Sequence, residues 1–496
     1  MKEGALTSRS STAGGLRYLL ATICLVIGFA SVTVLYPLVG AVAALAGFFI
    51  WTFAWKQKAF FTAHFALAVG AVICVPFLRL TESSGTLKVA VPALLVLTTL
   101  AVVVRVRGCI PKKFALTAAI FLLLEALATV VVEDLNEWLI LVVLTAVTFA
   151  GVVFAGAAAR LDAWPIVARV LILMVAMEAA LSLCEVFDLV SGPIWRGGKV
   201  LPDGNSVYQR NEIISSWPRA QGTFAHALPL SLMLVIGAVL VIRTPMRRTG
   251  AKPFLFMLMA AGLLASGSRN SIVLFLVLTA LAYALPSLVL RLQSAIALAV
   301  IAVICAFPFL LEKYAELVES GSVTHRLGAI EAVPNLMSRP LLMMLFGDGA
   351  ASAPRLYASG MLQTDGLAAV DNQYVLTLAE NGLVGLGLLI AVIWVAALRG
   401  SATLRILILA VAVSGMIFDL LAWPSSAFFL WFLAGCAFSR VRGTDPVAVA
   451  DTPQLSGPKS STSGPSGNGI PKPGVELVQR FRQPVRAEHN RHSRVH

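Results

Sequence analysis

WLILVVLTAVTFAGVVFAGAAA, residues 138–159, runs without a charge from Trp138 to Ala159 and stops at Arg160. A helix needs about 20 such residues to cross the hydrocarbon of a bilayer. After a short break a second apolar stretch follows, WPIVARVLILMVAMEAALSLCEV, residues 164–186, interrupted by Arg169, Glu178 and Glu185. Lipid satisfies no backbone hydrogen bond and neither stretch alternates with period two, so both predict helices rather than barrel strands. Read outward by the same criterion, the chain predicts spans at 17–36, 38–55, 60–78, 88–104, 114–132, 138–159, 164–186, 224–242, 253–267, 271–290, 294–311, 375–397, 404–421 and 425–438. The expected fold is all-α, a polytopic membrane bundle of about 14 (12–14) transmembrane helices.

Composition agrees. Of 496 residues 58% are hydrophobic and 13% charged, with a mean hydropathy of +0.86. A soluble domain has roughly 45–50% and 25%, which excludes an ordinary soluble enzyme. Six cysteines and six histidines, scattered, do not make a disulfide scaffold or a zinc domain. Cys24, Cys74, Cys184, Cys305 and Cys436 fall in spans and Cys109 in a cytoplasmic loop, so no disulfide is expected.

The net charge of +13 would point to nucleic acid were it not for its placement. With Lys2, Arg9 and Arg17 cytoplasmic, every second connection is basic: Lys56 and Lys58; Arg105, Arg107, Lys112 and Lys113; Arg160; Arg243, Arg247, Arg248 and Lys252; Arg291; Arg399 and Arg405. The alternate ones are poor in base or acidic, as at Glu133, Asp134 and Glu137. This bias predicts a multi-pass protein with both termini in the cytoplasm and no nucleic-acid partner. The first span lacks a small-residue cleavage site and reads as a retained signal-anchor. From Ser439 onward the chain carries nine basic and four acidic residues, and 443–475 is rich in Ser, Gly, Pro and Thr. Residues 439–496 are therefore expected to be a disordered cytoplasmic tail attracted to membrane lipid. The expected organisation is N-terminal spans in 1–187, an outer loop at 188–223, a larger outer loop at 312–374, C-terminal spans in 375–438, then the tail.

Long loops are usually functional, which directs attention to the outer face. Trp217-Pro-Arg-Ala-Gln-Gly-Thr-Phe-Ala-His226 ends the first loop, and Ser266-Gly-Ser-Arg-Asn-Ser271 joins two spans. Arg219 and Arg269 are thus cations on the side where topology does not favour them, and guanidinium suits phosphate oxygens. Interface anchoring is the plainer role for either alone. The second loop carries His325-Arg326, an apolar run that predicts a short helix and tight turn at Gly347-Asp-Gly349, and Asp371-Asn-Gln-Tyr374 ahead of a span. Asp371 suits a helix N-terminus, or could accept a proton from an attacking hydroxyl. His64, Glu125, Glu178, Glu185 and Asp419 lie within or at the edge of spans. Such groups line a path or pair with a cation such as Arg169.

Three pieces together resemble the O-antigen ligase and polymerase superfamily of bacterial envelope glycosyltransferases: Arg-x-x-Gly-Thr-Phe-x-His at 219–226, Ser-Arg-Asn-Ser at 268–271, and the outer loop with Arg326, Gly-x-Gly at 347–349, and Asn-x-Tyr then Glu-x-Gly-Leu-x-Gly at 372–385. The resemblance covers roughly residues 215–400. It implies a GT-C-like bundle in the bacterial cytoplasmic membrane and metal-independent, inverting glycosyl transfer with no cofactor. The implied donor is an oligosaccharide on undecaprenyl diphosphate, and the acceptor is a glycan or lipid. It implies diphosphate binding by Arg219 and Arg269, catalytic roles for Arg326, Asp371 and His325, and supporting roles for Asn372, Tyr374 and His226. Where ligases of this kind carry His before the Asn, this chain has Asp371. Either Asp371 replaces that base or the activity is polymerase-like. A competing reading from the residues is a secondary transporter of an anion or a lipid-linked glycan, coupled through the intramembrane carboxylates.

Overall fold

A computed structural model describes residues 47–80, 85–129, 135–190, 210–224, 226–246, 250–284, 328–349, 352–362 and 370–441. The spans expected at 17–36 and 294–311, the tail from 442 onward, and His325 and Arg326 lie outside the described residues. Within them every regular element is helical and no strand occurs; the one β-type contact is an isolated bridge between Arg210 and Pro218.

A helical segment over 47–53 precedes α1 (Gln57–Leu80), α2 (Gly85–Arg105), α3 (Lys112–Thr129), α4 (Leu135–Arg160) and α5 (Trp164–Val186). Then come α6 (Ala227–Arg243), α7 (Ala251–Ser266) and α8 (Arg269–Ala284). Three short helices follow, α9 (Val333–Met337), α10 (Leu341–Phe346) and α11 (Ala353–Ala358), before α12 (Gln373–Arg399), α13 (Ala402–Ser414) and α14 (Pro424–Phe438). Leu141–Arg160 of α4, α5 and α12 are long and apolar enough to cross a membrane, and seven shorter helices are apolar.

Two expectations are corrected here. The span expected over 404–421 ends at Ser414; Gly415 opens a turn, and Leu420–Ala422 is a 3-10 turn. Asp419 therefore lies in a connection, not in a helix. The span expected over 375–397 is interrupted within α12 at Gly382, whose φ of 65° and ψ of −165° no helix contains.

Local chemistry explains the helix ends. Pro165 and Pro424 sit in the first turns of α5 and α14, where a missing N–H costs nothing. Ser401 caps α13 by accepting from Leu404 N at 3.3 Å. Gly267, at φ 66°, closes α7 and lets α8 begin at once at Arg269.

α14 is the centre of the bundle. Every residue from Pro424 to Ala437 is buried, and the helix packs most extensively on α4, then on α12, α13 and α1. Phe428, Phe432 and Trp431 meet Phe65, Phe154, Phe114 and Phe121 in an aromatic core. On the outside, Leu116, Ile120, Leu123 and Leu127 form an exposed stripe on α3, and Leu173 and Met177 one on α5. Such surface is favourable against hydrocarbon and unfavourable against water.

The bundle has two chemically different ends. One, the basic end, gathers Arg105, Arg160, Arg243 and Arg399 from the last turns of α2, α4, α6 and α12. Here Arg243 donates to Thr403 Oγ1 at 3.1 Å, and Arg399 sits over Phe438 at 5.2 Å. Cys109, in the connection between α2 and α3, is a free buried thiol whose pKa burial pushes up. The opposite end holds the C-termini of α5, α7 and α13 and the N-termini of α6, α8, α12 and α14, and it carries the candidate site.

Candidate functional site

The segment 210–226 is laid across this end and fixed from three sides. Asn211 donates through Nδ2 to Leu264 O (2.7 Å) and Ala265 O (3.1 Å), while its Oδ1 accepts from the backbone of Ile213 (2.9 Å) and Ile214 (3.0 Å). Ala220 N donates to Ala265 O at 2.9 Å. The third fixing point comes from two carboxylates of α5. Glu185 Oε2 accepts from Gln221 N (2.8 Å) and Gly222 N (3.0 Å), and Glu178 accepts from Thr223 N (3.0 Å) and Thr223 Oγ1 (2.7 Å). Of the two readings of these carboxylates, a path or a pairing with a cation such as Arg169, the structure shows both accepting from the 221–223 segment, while Arg169 lines a cavity with Ile172, Leu173 and Pro245. A turn buried at a helix end has orphaned N–H groups, and an ionised carboxylate is their strongest acceptor. Gly222 takes φ +53° within this turn, and a Cβ there would come within 2.6 Å of Glu178 Oε2.

Removing this support has a predictable cost. Glu185→Leu is expected to destabilise the protein by about 3 kcal/mol, because it strands two buried N–H groups. Glu185→Gln keeps an acceptor oxygen and should lose clearly less. Thermal unfolding in detergent measures both, and equal midpoints for the two variants would contradict the assignment.

The fixed segment presents Arg219 to Arg269. Arg219 Nη1 lies 3.3 Å from Glu212 Oε1, and its Nε donates to Ser266 O at 3.1 Å. Arg269, at the first residue of α8, has Nε 3.8 Å from Glu212 Oε2 and donates from Nε and Nη2 to Glu212 O at 3.1 and 2.9 Å. Two guanidinium groups 50 positions apart thus share one carboxylate. The Arg219 side chain is 11% exposed and that of Arg269 54%, so one arm is fixed and the other faces outward. Beneath them Ser268, Ser271 and Ser231 form a buried hydroxyl chain, with Oγ–Oγ distances of 2.8 and 2.7 Å, joining the start of α8 to α6.

His226 caps α6, accepting from Leu228 N through Nδ1 at 3.3 Å, and its ring stacks on Trp423 with centroids 5.0 Å apart. Trp423 Nε1 in turn donates to Asp419 Oδ1 at 3.0 Å. The same 415–423 connection is gripped by Gln373, whose N donates to Gly415 O (2.7 Å) and whose Oε1 accepts from Leu421 N (2.6 Å). The start of α12 and the start of α6 are thus tied together through one connection. Asn372, not Asp371, is the N-cap of α12: its Oδ1 accepts from Tyr374 N (3.0 Å) and Val375 N (3.2 Å). Tyr374 Oη donates to Ala412 O at 2.7 Å. Both side chains hold the fold of this end. Asp371 itself is half-buried and makes no hydrogen bond or ion pair among the described residues.

The outer-loop helices dock on α12 at its break. Asp348 N and Gly349 N donate to Ala379 O (3.0 Å) and Glu380 O (2.9 Å), so the Gly-x-Gly turn pairs with the backbone before Gly382. Arg339, not singled out in the sequence, holds this joint. It is ion-paired with Asp348 and donates to Leu336 O (2.8 Å), Leu378 O (2.8 Å) and Ala379 O (3.0 Å), with its side chain 2% exposed. No sequence signal marks it, since its partners are mostly carbonyls. Among the described residues no three His, Cys, Asp or Glu side chains converge as metal ligands would.

No family model matches this chain. A search of curated proteins likewise finds no significant relative.

Proposed function

We propose that this protein is a glycosyltransferase of the O-antigen ligase and polymerase kind, embedded in a bacterial cytoplasmic membrane with both termini inside. Its substrate is an oligosaccharide on undecaprenyl diphosphate, received at the outer face. The observation that carries this reading is the convergence of Arg219 and Arg269 on Glu212. Two guanidinium groups held around one anion match the oxygens of a diphosphate, which would displace the carboxylate. In the reaction an acceptor hydroxyl attacks the anomeric carbon, the bond to the diphosphate oxygen breaks, and configuration inverts. The arginine pair neutralises the charge that develops on the leaving group. Asp371 receives the hydroxyl proton; His226, stacked and used as a cap, serves the helix end instead. Arg326 and His325 retain the catalytic roles that the family resemblance gives them.

Reconstitution in proteoliposomes with an undecaprenyl-diphosphate oligosaccharide tests the reading. A ladder of products identifies a polymerase and a single addition a ligase; no product overturns both. Arg219→Ala and Arg269→Ala are each expected to lower product formation by roughly 100-fold, whereas Glu212→Gln retains it and binds donor more tightly. Wild-type turnover in both arginine variants would refute the site. Uptake without product would favour a transporter, although Glu178 and Glu185, engaged with the 221–223 backbone, are poorly placed to serve as coupling groups.

A further inference from the structure

At the basic end, the chain before α1 and the C-termini of α2 and α4 enclose a cavity of about 640 Å3 lined by Phe53, Gln57, Arg105, Arg107, Arg160 and Leu161, among others. We propose that this cavity is a binding site for a phosphate-bearing anion, distinct from the arginine pair at the other end. Three guanidinium groups line it and no carboxylate does. The connections 106–111 and 161–163 contain a single acid, Asp162, which offers its backbone carbonyl to Lys58 Nζ at 3.5 Å.

Helix ends alone explain part of this. α2 and α4 both finish here, and their carbonyl ends attract cations. That accounts for one arginine at each terminus, and Arg105 and Arg160 are in those last turns. It does not account for Arg107, beyond the end of α2, facing the same cavity. Nor does it account for Arg105 Nε, a buried donor with no hydrogen-bond partner among the described residues. Arg105 spends only Nη2 on protein, donating to Trp55 O at 3.4 Å, and Gln57 Nε2 donates to Arg105 O at 3.3 Å. Like charges lining one cavity repel, and a buried unpaired donor is unfavourable. One multivalent oxyanion relieves both. Phosphate fits best because its oxygens meet several guanidinium forks at once. The same chemistry occurs in the headgroup of an anionic phospholipid and in free phosphate or pyrophosphate, and Phe53 and Leu161 give the cavity an apolar wall.

Two arms separate the sources. Full-length protein in nanodiscs of phosphatidylcholine with a minor fraction of phosphatidylglycerol is examined by native mass spectrometry for retained phosphatidylglycerol. Delipidated protein in detergent is titrated calorimetrically with inorganic pyrophosphate. Arg105→Gln/Arg107→Gln/Arg160→Gln is expected to reduce binding at least about tenfold in one arm. The control Lys112→Gln/Lys113→Gln, which removes two cations that do not line the cavity, should leave it unchanged. Loss in the first arm identifies a lipid headgroup, and loss in the second a free phosphate. Binding unchanged in both arms, or weakened equally by the lysine pair, overturns the site. Should the triple variant not fold, the exposed single changes Arg107→Gln and Arg160→Gln decide, each expected to weaken binding about threefold; no change in either refutes the proposal.

Discussion

Alanine at Gly382 or at Gly347 is expected to destabilise the protein by about 3 kcal/mol or more. Gly382 has φ 65° and ψ −165°, and Gly347 has φ 79° and ψ −173°. Only glycine populates this region without strain. The two also face one another's chain. A Cβ on Gly382 would lie 2.3 Å from the carbonyl carbon of Leu345, and one on Gly347 would lie 2.1 Å from Glu380 O. Neither backbone can retreat, because Asp348 N and Gly349 N are bonded to the carbonyls just before the break. The two replacements damage one joint, so the double variant should lose little more than either single one. Gly387→Ala is the control, since its Cβ would meet nothing within 4 Å. Thermal unfolding in detergent and proteolysis of the 328–362 segment measure the effect. An unfolding midpoint for Gly382→Ala equal to that of Gly387→Ala would show that the joint does not form.

Arg339→Leu is expected to cost about 3 kcal/mol, because it leaves the Asp348 carboxylate, 13% exposed, without its ion-pair partner. Three carbonyls lose their donor at the same time. Adding Asp348→Asn should recover part of the loss, since it removes the stranded charge; a bare pair contact on the surface would show no such recovery. Urea unfolding of the two variants and their parent distinguishes these outcomes.

What was legible from the residues, and what was not, follows from where the information resides. α4 was legible because an uncharged run of 22 residues admits one interpretation at its length, and α5 because its 23 residues are strongly apolar despite three charges. The end of α13 was not. Met416, Ile417, Phe418 and Leu420 read as a continuing span, yet they belong to a connection held by Gln373 through the backbone of Gly415 and Leu421. Glu178 and Glu185 stood out as costly intramembrane groups, but they accept mostly from main-chain amides, which carry no mark in a sequence. Arg219 and Arg269 were singled out for standing on the wrong side of the topology, and they meet. Glu212, on which they meet, drew no attention because an acid in an outer loop is ordinary there. Asp371 and Asn372 divided their expected roles: the cap went to Asn372, whose amide oxygen reaches two N–H groups.

The burial of α14 on every side bears on the order in which the protein is made. Its bed is built by α1 and α4, synthesised hundreds of residues earlier, and by α12 and α13 immediately before it. Phe438 is added only after the sequence of all four of those helices has been synthesised. Until then the aromatic core lacks Phe428, Trp431 and Phe432. The gap between His226 and the start of α12 also stays open, because Trp423 arrives with the same segment. Assembly therefore ends at the middle, and the end that carries Arg219 and Arg269 gains its last helix there.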